Sequence, residues 1–155
     1  MKFDKTYLAD FINYVDVHCP QCEKHAVIKR GQEGSAPRFA CLECGYMKEW
    51  NGRLGVHATG NMRLKNNVVH MYGATDPYFG YSLWYQAACC GHILWAYNRQ
   101  HLQFYGVYIS DKLRERQRDE YGWSNQSLQS RLPKWMLAGK NRDEIRRKIA
   151  RLKEK

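Results

Sequence analysis

Two Cys-x-x-Cys pairs limit what the first fifty residues of this chain can become. Cys19-Pro-Gln-Cys22 and Cys41-Leu-Glu-Cys44-Gly45 are separated by eighteen residues. Each pair can wrap two sulfurs around one side of a tetrahedral ion, and the spacer is long enough for a hairpin that brings the pairs together. Backbone N–H groups after the first Cys of each pair can point at the thiolates. Pro20 pre-sets one φ, and Gly45 sits where a positive φ is wanted. Four thiolates leave no open coordination position, so the Zn²⁺ this pattern predicts is structural and does no Lewis-acid chemistry. A redox dithiol would require one Cys-x-x-Cys at a strand-to-helix turn, which the flanking residues do not suggest. An iron–sulfur cluster is the alternative by ligand type. His18 and His25 flank the first pair, as substitute ligands or as surface residues.

The rest of the 155-residue chain reads as α+β: an N-terminal four-cysteine unit, then a segment containing a β-hairpin, then a helical region. Phe3, Tyr7, Leu8, Phe11 and Ile12 have the spacing of a short amphipathic helix or an ordered arm. Strands are expected at 15–18 and 25–29, with GQEGSAPR as a loop, and flanking the second Cys pair at 39–40 and 46–50. Residues 51–67, rich in Gly and Asn, read as a connection. The remainder, 68–155, reads as a second part that either stands alone or shares a body with 1–50. Val68, Val69 and Tyr72 begin a β-rich stretch, DPYFG turns it, and a hairpin closes around Cys89-Cys90-Gly91-His92. From Asn98, an N-cap residue, Leu102, Tyr105, Ile109 and Leu113 recur at helical intervals and lead into a solvated RERQRDE end. Ser127–Leu132 suggests another turn or two before Pro133. Asn141 with Glu144 resembles a capping box opening a last helix, whose stripe is Ile145, Ile149 and Leu152.

Charge is unevenly spread. The net charge is +10, and the last 25 residues hold ten cations against three carboxylates. Arg142, Arg146, Arg147 and Arg151 on the last helix are therefore candidate phosphate contacts, their bland reading being a solvated basic helix. A second cationic set, Lys29, Arg30, Arg38, Lys48 and Arg53 with Trp50, lies along the four-cysteine unit as a candidate nucleic-acid contact and reads equally as solvated surface. Seven aromatic residues fall between 78 and 97, a stretch without Lys or Arg. Base-stacking surfaces mix rings with cations, so these rings are expected in a core or a protein interface.

The opening residues lack the long apolar run of a secretory signal, and no stretch reaches the ~18 apolar residues of a membrane span. A cytoplasmic chain with reduced thiols is expected, without membrane contact, and six Cys in that setting favour metal over disulfides. Cys90 and His92 share a face if both lie in a strand, with His57 or His70 as further ligands. Cys89, pointing oppositely, would not join them. A catalytic Cys90–His92 pair lacks an orienting carboxylate, since Asp76 is the single acidic residue between 61 and 110. No small-molecule substrate is evident.

Residues 17–50 resemble zinc ribbons of the transcription-factor-IIB type, found in many proteins that handle nucleic acid. The stretches DPYFGYSLWYQAACCGHILWAYNRQHL and SLQSRLPKWMLAGKNRDEIRRKIARL resemble small bacterial proteins described as zinc-ribbon-containing, a group without an established activity. The resemblance implies a bacterial intracellular protein with one structural Zn²⁺. The chain has no Gly-x-x-x-x-Gly-Lys-Ser/Thr motif, which sets helicase activity aside. The expectation is a non-catalytic nucleic-acid-binding accessory factor of transcription or replication. The alternative is a protein-interaction module, an adaptor or an immunity-type inhibitor of a partner.

Overall fold

The computed structural model describes residues 6, 8–31, 36–50, 73–110 and 132–155. The expected connection at 51–67 lies outside them, as do Phe3, Tyr7, Arg53, His57, Val68, Val69, His70, Tyr72, Leu113, the RERQRDE segment and 127–131.

A 3-10 turn, Leu8–Phe11, enters a four-stranded antiparallel sheet of order β1-β2-β3-β4: β1 Tyr14–His18, β2 His25–Lys29, β3 Arg38–Ala40 and β4 Met47–Glu49. Register places Val15 opposite Ile28 and Ile28 opposite Phe39, and these three side chains are fully buried. Val17 and Ala26 continue the same face, so the period-two pattern of apolar residues becomes one wall of the core.

The second, two-stranded sheet pairs β5 Tyr85–Cys89 with β6 His92–Ala96 across Cys90-Gly91. Both turn residues have positive φ, +53° and +76°, as tight two-residue hairpin turns require. Three helices follow among the described residues: α1 Arg99–Ser110, the short α2 Lys134–Leu137 and α3 Arg142–Lys153. Helix α1 lies on β6 and α3, and α3 lies on β5. The stripe of α1 buries His101, Leu102, Tyr105 and Ile109, and that of α3 buries Ile145, Ile149 and Leu152. None of these helices is long and apolar enough to cross a membrane.

The cysteine-bearing sheet and the helical part are joined through β1. Its inner edge pairs with β2, while its outer edge takes partners from the later chain. The Asp16 N–H donates to the Tyr97 carbonyl at 2.8 Å, His18 N–H to the Ser82 carbonyl at 2.8 Å, and Trp84 N–H to the Asp16 carbonyl at 2.9 Å. Asn98 adds a second tie. Its amide donates to the Phe11 and Tyr14 carbonyls at 2.9 and 2.8 Å, while its side-chain oxygen caps α1 at the His101 N–H, 2.8 Å.

The aromatic middle is packed inward: Tyr78, Tyr85 and Tyr97 are buried, with Phe79, Tyr81, Trp84 and Trp95 half-buried against the core. Asp76 organises the DPYFGY turn by accepting N–H groups from Tyr78 at 2.8 Å, Phe79 at 2.6 Å and Tyr81.

One local expectation fails. Asn141 does not cap α3. It is helical itself (φ −93°, ψ −10°) at the end of a 3-10 turn, and its amide donates to the Trp135 carbonyl at 2.8 Å. Glu144, the expected partner in a capping box, instead accepts the Cys90 N–H at 3.0 Å from another part of the fold.

Candidate metal centre

The first Cys pair closes β1 and opens β2; the second stands between β3 and β4. The two loops repeat one hydrogen-bonding scheme. In the first, Glu23 N–H donates to the Cys19 carbonyl and Cys19 N–H to the Lys24 carbonyl, both at 2.8 Å. In the second, Gly45 N–H donates to the Cys41 carbonyl at 3.0 Å and Cys41 N–H to the Tyr46 carbonyl at 2.9 Å. The fifth residue of each loop has a positive φ, +60° at Glu23 and +77° at Gly45. Gly45 takes this conformation freely, whereas Glu23 bears a strain of about 1 kcal/mol.

These loops bring four sulfurs together. The Sγ atoms of Cys19, Cys22, Cys41 and Cys44 all lie within 4.8 Å of one another. Cys19 to Cys44 and Cys22 to Cys41 are each 3.6 Å apart. A tetrahedron of sulfurs about 2.3 Å from a central ion has edges of about 3.8 Å, whereas a disulfide requires about 2.05 Å. All four are free thiols, and their spacing fits a shared metal.

Electrostatics agree with the geometry. The Gln21 N–H points at Cys19 Sγ, 3.4 Å away. Backbone N–H groups of Cys44 and Glu43 help hold the Cys41 thiol down to about 7. At Cys22 the Lys24 N–H also favours the thiolate, but burial and the three neighbouring sulfurs outweigh it and push that thiol up to about 12. One sulfur ionises at the expense of its neighbours, since four negative charges cannot share so small a volume without a cation. The cluster can therefore hold a metal ion. Cys19 and Cys41 are buried and Cys44 is exposed, so one corner of the site faces solvent.

His18 and His25 are not ligands in this arrangement. The His18 Nδ1 lies 3.1 Å from the Glu23 carbonyl, and the His25 Nε2 pairs with the buried Asp16 carboxylate at 2.7 Å. Both rings rest against Trp84, at 4.7 and 5.0 Å between centroids.

The cations noted along the cysteine-bearing sheet do not form one patch. Lys29 and Arg38 stand in one cross-strand row with Tyr14 and Glu49, and Lys48 stands opposite Phe39 on the other face. Arg38 reaches Glu49 at 3.9 Å, Lys29 lies over the Tyr14 ring at 5.8 Å, and Lys48 lies over Phe79 at 5.9 Å. Arg30 is exposed just beyond β2. Trp50, expected to accompany them, is buried against Tyr78 and is not offered to a ligand. On α3, Arg146, Arg147 and Arg151 are exposed, and Arg142 is half-buried.

The expected Cys90–His92 face does not form. Cys90 is a turn residue and not a strand residue, so its positive φ swings its sulfur beside Cys89, 3.6 Å away. His92 is the cross-strand partner of Cys89 and stacks on Trp135, 4.9 Å between centroids and 3° from parallel. Sequence reasoning missed Glu144, whose carboxylate lies with Cys89 and Cys90 in a group of donor atoms within 4.8 Å of one another. Burial and the adjacent Cys90 thiol push Cys89 up to about 12, while the Cys90 N–H holds the Glu144 carboxyl below its usual range.

No family model matches the chain, and neither a curated protein nor a solved structure matches it.

Proposed function

We propose that this chain is a non-catalytic, zinc-stabilised binding protein that contacts nucleic acid as an accessory factor of transcription or replication. In this reading Cys19, Cys22, Cys41 and Cys44 hold one structural Zn²⁺, and residues 17–50 are a zinc ribbon of the kind their sequence resembles. The convergence of the four sulfurs carries the metal part. An all-thiolate set with no open position suits structural zinc, and the expected setting is the cytoplasm, where thiols stay reduced. Zn²⁺ is d¹⁰, so the purified protein should carry zinc and be colourless. Cys41→Ser should lose that ion. Visible absorbance with iron in place of zinc would overturn the assignment of the metal.

The nucleic-acid part rests on α3, which offers Arg146, Arg147 and Arg151 to solvent away from its buried stripe. The zinc-loaded protein should bind single- or double-stranded nucleic acid at low salt, with affinity falling as salt rises. Replacing the three arginines with Ala should flatten that log–log slope by about 0.7–0.9 for each phosphate that is no longer neutralised. No binding even at low salt removes this reading.

Exposed apolar side chains support a second reading. Leu42, at the tip of the second cysteine loop, is 93% exposed, and Met47 is 69% exposed. A protein partner of an adaptor or an inhibited toxin would find these beside the metal. Stoichiometric recovery of one protein by the wild type, abolished in Leu42→Asp, would favour it over nucleic acid.

A further inference from the structure

Cys89, Cys90 and Glu144 form a second convergence of ligating atoms, separate from the four-cysteine cluster in sequence. We propose that they are a second metal site, with three protein ligands and an open coordination position, for a thiophilic divalent cation of the Zn²⁺ or Cd²⁺ class.

The distances are those such an ion would need. Cys89 Sγ and Cys90 Sγ are 3.6 Å apart, and a Glu144 oxygen lies within 4.8 Å of both. With bonds of about 2.3 Å to sulfur and about 2.1 Å to oxygen, a tetrahedral ion sets sulfur–sulfur edges near 3.8 Å and sulfur–oxygen edges near 3.6 Å. Small side-chain adjustments close the site.

The turn supplies a second, independent observation. Its first residue has φ +53°, a conformation favoured by Asn, Asp and Gly and disfavoured for other residues. The chain nonetheless carries Cys at that position, and this backbone conformation turns two sequence neighbours from opposite faces to one side.

Glu144 is held in place from 54 residues away, its Oε1 accepting the Cys90 N–H at 3.0 Å. The contact of α3 with β5 fixes this approach. Cys89 is buried, whereas Cys90 and Glu144 are partly exposed, which gives an ion a route in from solvent. On binding, each thiol releases its proton to solvent, leaving two thiolates and a carboxylate around a divalent charge. The residual negative charge is offset by Lys148, one turn along α3 and close enough to act on both Cys89 and Glu144. The fourth position is left to water or an exogenous ligand, unlike the closed four-sulfur cluster.

The test is a titration of the reduced full-length chain with Zn²⁺ and with Cd²⁺, read by native mass spectrometry and by competition with a chelator. Wild type should hold two ions. Cys90→Ser should hold one, and Glu144→Gln should keep the second ion with affinity lowered roughly tenfold or more. Cys89 is in the core, so its substitution tests folding more than binding. Cys41→Ser should lose the other ion and retain this one, which keeps the two assignments separable. A wild type that takes up one ion at excess metal overturns the proposal. So does a second ion retained by both Cys90→Ser and Glu144→Gln. The proposal is also overturned, and the pair becomes a vicinal disulfide, where the reduced chain takes up no second ion and the chain purified without reductant is lighter by two hydrogens, a deficit absent in Cys90→Ser.

Discussion

His101 lies in an aromatic cage. Its ring stacks on Phe11 at 4.6 Å, packs against Tyr105 at 4.5 Å and meets Trp95 edge-on at 5.9 Å. Nδ1 accepts the Tyr97 N–H at 3.1 Å, which puts the proton of the neutral ring on Nε2. Burial drives its pKa down from 6.5 to about 3. Between those values the unfolded chain binds a proton that the folded chain refuses, so stability is intact above pH 6.5 and falls as pH drops below it. The loss reaches about 2 kcal/mol at pH 5. His101→Phe should remove this component, and the difference between wild-type and variant unfolding free energies should therefore shrink from pH 7 to pH 5. Asp76 is buried too, and burial raises its carboxyl despite three N–H donors. Asp76→Ala would leave those donors unpaired and should cost on the order of 3 kcal/mol in denaturant unfolding. Neither role is visible from the sequence, where His101 follows Asn98, Arg99 and Gln100 like any polar residue opening a helix, and Asp76 before Pro77 reads as an ordinary turn residue. Asn98 is visible, because a short polar residue before a helical stripe has few other uses. Glu144 misleads for a converse reason. The capping-box pattern is local, and the group that captures its carboxylate is a turn 54 residues away.

Helices α1 and α3 were legible as elements because each carries its apolar residues at intervals of three and four, and those side chains are the buried ones. The strands flanking the cysteine loops were legible for the equivalent period-two reason. The β5–β6 turn shows where such rules stop. Alternation puts Cys89 and Cys90 on opposite faces only if both are extended, and Cys90 is not. The outward cations show another limit. Sequence proximity groups Lys29, Arg38 and Lys48, while register separates Lys48 from the other two. Within α1, Gly106 lies where α3 approaches. A methyl added there meets Ile149 Cγ2 at 3.7 Å and Lys153 Nζ at 3.6 Å, ordinary contact distances. Gly106→Ala should therefore be accommodated and should raise stability by roughly 0.5–1 kcal/mol, through helix propensity and a less entropic unfolded chain. Thermal unfolding of the variant checks this; a lower midpoint would mean that the α1–α3 contact is tighter than these distances.

At the scale of the molecule, the strand that leads into the four-cysteine cluster also anchors the helical part. A four-stranded sheet of this size has little core of its own, since small units bury too little surface to offset chain entropy, and an ion held by the four cysteines would add to its stability. Here β1 has β2 on one edge and residues 82–84 and Tyr97 on the other, while Val15, Val17 and Ile28 belong to the same buried cluster as Leu94, Leu102 and Ile149. The C-terminus closes the arrangement from the other side. Lys155 Nζ donates to the Trp84 carbonyl at 2.8 Å and sits over its ring at 4.2 Å, while Arg99 reaches the Lys153 carbonyl at 2.7 Å. Nothing in the sequence reveals the outer edge of β1, so sequence alone leads one to expect that metal loss loosens residues 15–50 before the helices. The shared strand predicts otherwise. Removing the ion with a chelator, or by Cys41→Ser, should lower one cooperative unfolding transition. Amide exchange should then rise together at Ile28, at Trp84 and at Leu102 in α1. Loss of protection confined to residues 14–50, with Leu102 unchanged, would show that the sheet melts as a separate unit and that the hydrogen bonds along β1 contribute little to coupling.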